Sequence, residues 1–191
     1  MFEFEKKERL GIISMNKPPA NGYDAEFFNK LLPLLKQIEA DKEIAVVLLQ
    51  SAVAKFFSAG ADIKVFSKNT IQQNKDMVVL ANQVAYQLSH SSKIYVAFLN
   101  GHTLGGGLEL AMACDIRIAT DKHFLLGLPE INLGLMPGNG GIPRLTQLIG
   151  ASRAFELIVS GNTFTPQQGY HYGLINQLFE EKTAEEQALD Y

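Results

Sequence analysis

Short apolar runs alternate along the chain with longer stretches in which apolar residues recur every three or four positions. Residues 44–49 and 94–99 are continuous and short, the pattern of strands covered on both faces, and 116–119 and 175–179 also read as strands. Residues 123–126 read as a further short strand. Residues 2–5 and 10–15 form a hairpin around the charged segment 6–9. Asp24 is placed to cap a helix running to about residue 40, with Phe27, Phe28, Leu31, Leu34, Leu35 and Ile38 on one face. Pro33 lies inside that pattern and predicts a kink or a restart. A second helix spans about 71–88, and others cover 142–149, 152–159 and a short piece after Thr165-Pro166. Strands alternating with helices predict an α/β fold with helices covering a sheet. Thr183 starts a last helix of about two turns, with little to pack against.

The most informative stretch is 100–115. The apolar run 94–99 leads into Gly105-Gly106-Gly107, and good helix formers follow. Strand, glycine turn and helix N-terminus are thus contiguous. The first amides of a helix lack intrahelical acceptors and lie at the positive end of its dipole. Three glycines remove the side chains that would keep a ligand from them. Glu109, three residues after Gly106, shares a helix face with it. That places an acid–base group beside a site suited to a developing negative oxygen. Close helix–strand packing explains the glycines equally well at this point. No Gly-Lys-Ser/Thr follows, and the dinucleotide fingerprint is not formed, so neither nucleotide motif applies.

Composition narrows the class. With 191 residues, 47% apolar and 19% charged, the chain can bury a substantial core, and one domain over residues 1–191 is the expectation. A net charge of −3 gives no reason to expect nucleic acid as a partner. No apolar run reaches membrane-spanning length, and residues 1–7 lack a signal-peptide core. Cys114 is the only cysteine, so no internal disulfide forms and a cytoplasmic location is expected. His90, His102, His123 and His171 show no metal-ligand spacing, and no metal is expected.

Four segments, in this order and spacing, resemble the enoyl-CoA hydratase/isomerase (crotonase) superfamily. They are the Asn16 to Asn21 loop; Phe57-Ser58-Ala59-Gly60-Ala61-Asp62-Ile63-Lys64; Gly101 to Leu110 with Asp115; and Leu128 to Gly138 with Gly140, Gly141 and Arg144. The resemblance implies a spiral of ββα units and an acyl-CoA substrate, with coenzyme A part of the substrate and no separate cofactor. It implies an oxyanion hole made by the main-chain N–H groups of Ala59 and Gly106. Gly60, Ala61, Asp62 and Lys64 would lie along the CoA and thioester. Glu109 and Glu130 match the two glutamates of hydratases, Glu109 activating water and Glu130 supplying a proton to C2. The segment between Asp115 and the Pro129–Glu130 turn is one residue longer than is usual in hydratases. Family members are usually trimers or paired trimers, and they continue with further helices. The C-terminal helical region is therefore expected to be missing, leaving apolar surface near 175–179 exposed.

The reading that follows is a 2-enoyl-CoA hydratase of fatty acid β-oxidation. An enoyl-CoA isomerase, needing Glu130 alone, and a non-catalytic acyl-CoA binder or inactive fragment are the alternatives.

Overall fold

The computed structural model describes residues 1–191. β1 (Phe2–Lys7) and β2 (Leu10–Met15) form the expected antiparallel hairpin. β3 (Val46–Ser51), β5 (Ile94–Leu99), β7 (Ile116–Asp121) and β9 (Gln177–Glu180) extend it in parallel, giving the order β1-β2-β3-β5-β7-β9. Side chains alternate across this sheet. Ile13, Val47, Leu49, Tyr95, Ala97 and Ala119 join the main core, while Ile12, Leu48, Val96, Phe98 and Ile118 form a second cluster behind it. Burial of both faces is why the central strands read as unbroken apolar runs.

A second, smaller sheet was not predicted. It consists of β4 (Phe56–Ser58), β6 (His102–Leu104) and β8 (Leu126–Gly127), all parallel, with β6 in the middle. Strands of two or three residues carry no readable period. The predicted strand at 123–126 contributes only its last residue to β8. The chain therefore places one strand in the large sheet and the next in the small one, then forms a helix, and repeats. This is the expected ββα progression.

Helix α1 (Ala25–Ala40) begins at Asp24, whose side chain accepts from the Phe27 N–H at 2.9 Å. It runs unbroken through Pro33, against expectation. Pro33 and Asn29 are both exposed, so the carbonyl that loses its helical donor faces water. α2 (Ile63–Phe66) is a single short turn capped by Asp62. α3 (Ile71–Ser89) starts in a capping box formed by Thr70 and Gln73. α4 (Gly106–Met112) follows the glycine turn, and α5 (Gly141–Ile149), α6 (Ala151–Ser160) and α7 (Pro166–His171) follow as predicted to within a few residues. No helix is long and apolar enough to cross a membrane.

The end of the chain differs from expectation. α8 (Ala184–Asp190) buries Ala184 and Ala188 against Ile12, Leu48, Val96, Phe98, Ile118 and Phe179. Phe179 is accordingly buried, and Ile175 is buried in the main core on the other side, so neither is exposed. Two alanines suffice because small side chains let the helix approach the sheet closely. Replacing Ala188 with asparagine is expected to lower the unfolding free energy by about 1–3 kcal/mol, because an amide would be buried without partners. Urea denaturation measures this; an unchanged midpoint would mean that α8 is not docked in solution.

Candidate active site

The three strands of the small sheet end together, and each end delivers one part of the site. β4 leads into Ala59-Gly60-Ala61, β6 into Gly105-Gly106, and β8 into Pro129-Glu130, the start of a 3-10 turn spanning Pro129–Leu133. Helix α4 adds Glu109 from its first turn. These groups line one cavity of about 530 Å³ together with Tyr23 and Asn139. Its remaining wall is mainly apolar, with Phe66, Met77, Val78, Ala81, Leu135 and Met136.

The loop after β4 lies against the glycine turn. Gly60 has φ +81°, and a β-carbon there would sit 2.9 Å from the Gly106 nitrogen and 2.8 Å from the Leu104 carbonyl oxygen. Only glycine accommodates both the backbone angle and the approach. Asn21, fully buried, holds the other side by donating to Ser51 Oγ at 2.8 Å and to the Phe57 carbonyl at 2.9 Å.

This packing corrects the expected oxyanion hole. The Ala59 N–H donates to the Ala20 carbonyl at 3.0 Å and is not available to a ligand. Two residues on, Tyr23 pairs with this loop as an isolated parallel bridge. Its N–H donates to Gly60 O, and its carbonyl accepts from Asp62 N, both at 2.9 Å. These bonds straddle Ala61, so the Ala61 N–H faces away from Tyr23's backbone. It donates to no group of the protein. The Gly106 N–H, at the first position of α4, is likewise unspent. The free pair is therefore Ala61 and Gly106, with Ala59 contributing only cavity wall. Asp62 serves as the α2 cap, accepting from Lys64 N at 3.0 Å, and the Lys64 side chain is exposed outside the cavity.

Both glutamates face the cavity, in different environments. Glu109 is 2% exposed. Its Oε1 accepts the main-chain N–H groups of Asn139 at 2.7 Å and Gly141 at 2.8 Å. Burial raises its pKa, while those two donors and the Arg144 charge act in the opposite direction. Arg144 also fixes this loop by donating to the Asn139 carbonyl at 2.8 Å. Glu130 Oε2 is buried with no hydrogen-bond partner. Burial, reinforced by the Glu109 charge, pushes its pKa up to about 7. A β-carbon on Gly105 would lie 2.9 Å from Glu130 Oε1, so this carboxyl sits directly over the glycine turn. The extra residue before Pro129 does not turn it away.

Tyr23 and Asn139 were not singled out from the sequence. The Asn139 amide donates to the Tyr23 hydroxyl at 2.9 Å. Asn139 stands in a glycine-rich loop and Tyr23 between a proline loop and a helix cap, so neither position carries a periodic signal. No group of three His, Cys, Asp or Glu side chains is placed to hold a metal ion.

Two sheets joined by ββα turns, two free amides at adjacent strand ends and a carboxyl pair beside them form a site that can hold a developing negative oxygen next to acid–base groups. The sequence profile of the enoyl-CoA hydratase/isomerase family matches residues 5–191, and the chain belongs to that family. It is 39% identical over 174 residues to YngF of Bacillus subtilis, covering 91% of this chain and 66% of that protein. It is 34% identical over 177 residues to a short-chain-enoyl-CoA hydratase of Clostridium acetobutylicum, covering 92% and 67%. The crystal structure of an enoyl-CoA hydratase from Geobacillus kaustophilus superposes with a TM-score of 0.97 at 37% identity, covering all of this chain and 72% of that one. The chain spans 62–67% of the length of the curated relatives it matches.

Glu130 gives stability a pH dependence of definite sign. Its pKa rises from an ordinary 4.5 to about 7 on folding, so the native state holds a proton that the unfolded state releases. Stability contributed by this proton is present below about pH 4.5 and lost as pH rises through about 7. Glu130→Gln removes the titration. Its melting temperature relative to the unaltered chain is expected to rise steadily between those two pH values. A difference that stays constant with pH would contradict the raised pKa.

Proposed function

We propose that this chain hydrates 2-enoyl-CoA thioesters. The observation that carries the reading is the pairing of two unlike carboxyl groups over two unspent main-chain N–H donors in one apolar cavity. The thioester oxygen accepts from Ala61 and Gly106, where each preorganised donor contributes about 3 kcal/mol as charge develops. Glu109, with one oxygen fixed by two amides, presents the other to a water and takes its proton as the water oxygen bonds to C3. The C2=C3 electron pair moves toward the thioester, giving an enolate held by the two amides. Glu130, protonated near neutral pH, donates to C2 and completes the addition. The pair then returns to its starting state when the Glu109 proton passes to Glu130. The apolar wall receives the acyl chain and keeps bulk water from the enolate.

An isomerase moving a proton between C2 and C4 needs one acid with a pKa near neutrality, and Glu130 alone would serve. The second carboxylate, fixed by backbone rather than by a side chain free to turn away, favours hydration. A non-catalytic acyl-CoA binder would have no use for either raised carboxyl.

Crotonyl-CoA absorbance should fall when the protein is added. Glu109→Gln and Glu130→Gln should each lower kcat by about 10²–10⁴-fold, with folding retained by circular dichroism. The rate should decline above about pH 7 as Glu130 loses its proton. Conversion of a 3-enoyl-CoA without water uptake, and no loss of crotonyl-CoA, would replace this reading with the isomerase. Thioester binding with neither reaction would replace it with the binder.

A further inference from the structure

We propose that the Tyr23 hydroxyl is a third donor to the thioester oxygen, beside the N–H groups of Ala61 and Gly106. The proposal rests on the acyl-CoA reading of this cavity. Tyr23 lines the cavity and is 4% exposed. Its hydroxyl accepts from Asn139 Nδ2 at 2.9 Å and donates to no protein group. A buried hydroxyl with an unused proton is costly unless something entering the cavity accepts it. Neither glutamate does: Glu130 Oε2 is without a partner, and Glu109 accepts only from backbone.

The hydroxyl lies on the side of Gly106 that its N–H faces. A β-carbon on Gly106 would lie only 1.4 Å from the Tyr23 oxygen. In a helical residue the β-carbon and the N–H lie on the same side of the N–Cα bond. Standard backbone dimensions then put an oxygen accepting from that N–H about 3.6 Å from the β-carbon position. The hydroxyl, 1.4 Å from that position, therefore lies between about 2.2 and 5.0 Å from the same oxygen, a span that includes hydrogen-bond distance. This also explains why Gly106 must lack a side chain: the space is occupied by Tyr23.

The donor is preorganised and stays protonated. Phe28 and Phe27 pack on the Tyr23 ring at centroid distances of 4.7 and 6.1 Å. Asn139 ties the hydroxyl to the same loop that fixes Glu109. Burial, with the Glu109 and Glu130 charges adding to it, raises the phenol pKa well above its ordinary value. Tyr23 thus supplies a neutral, fixed O–H where negative charge develops.

The test is the carbonyl stretch of bound [1-13C]butyryl-CoA, a saturated thioester with no double bond to hydrate, read by difference infrared spectroscopy on the 191-residue chain. In the unaltered chain the band is expected below that of free butyryl-CoA. Tyr23→Phe should reduce that displacement and lower kcat on crotonyl-CoA by roughly 10–100-fold, without loss of the folded circular dichroism spectrum. Site-specific 3,5-difluorotyrosine at position 23, a stronger donor that preserves the ring, should increase the displacement. It keeps the test available if the phenylalanine variant does not fold. A band displaced equally in the unaltered chain and both variants overturns the role of Tyr23 alone. A band not displaced in the unaltered chain overturns the oxyanion site and the Tyr23 role together.

Discussion

The parallel pairing of three short strands is the constraint on which the site depends. β6 lies between β4 and β8, so the segments leaving all three are held side by side. Each pairing is only two or three residues long and could not stand alone. It is sustained by the burial of Phe57, Thr103 and Leu126 in the core and by the clamp from Asn21 and Tyr23. Loss of register by one residue would turn the Ala61 N–H away and bring Gly60 or Asp62 to its place.

Energetically, the site concentrates unsatisfied groups that a purely structural core would avoid. Two main-chain N–H donors lack acceptors, one glutamate oxygen lacks a donor, and a phenol proton lacks a partner. Each such group costs free energy when buried. Their gathering in one cavity, while Glu109 Oε1 beside them is doubly satisfied, points to a ligand that completes them. A thioester brings the acceptor oxygen, and water brings both a donor and an acceptor.

The large sheet was legible because its central strands are buried on both faces, which leaves continuous apolar runs such as Ile94–Leu99. The helix at the glycine turn was legible because Gly105 to Gly107 interrupts such a run just before a series of helix formers. The small sheet was not, since two or three residues cannot display a period. The free N–H of this loop was expected two positions away, at Ala59, for a related reason. Ala59 and Ala61 flank the same glycine, and composition cannot say which N–H is spent. Only the bridge to Tyr23 decides it. The docking of α8 was missed because alanines at positions 184 and 188 advertise little hydrophobicity yet permit close approach. Tyr23 reaches the site from a distant loop, and no local pattern announces such a contact.

A crystal structure with butyryl-CoA bound would test the central claim most directly. The account predicts that the thioester oxygen lies within about 3.2 Å of both the Ala61 and Gly106 nitrogens, with the Glu109 and Glu130 carboxyl groups facing C3 and C2. A thioester oxygen outside hydrogen-bond range of either nitrogen, or an acyl group lying away from both glutamates, would contradict it.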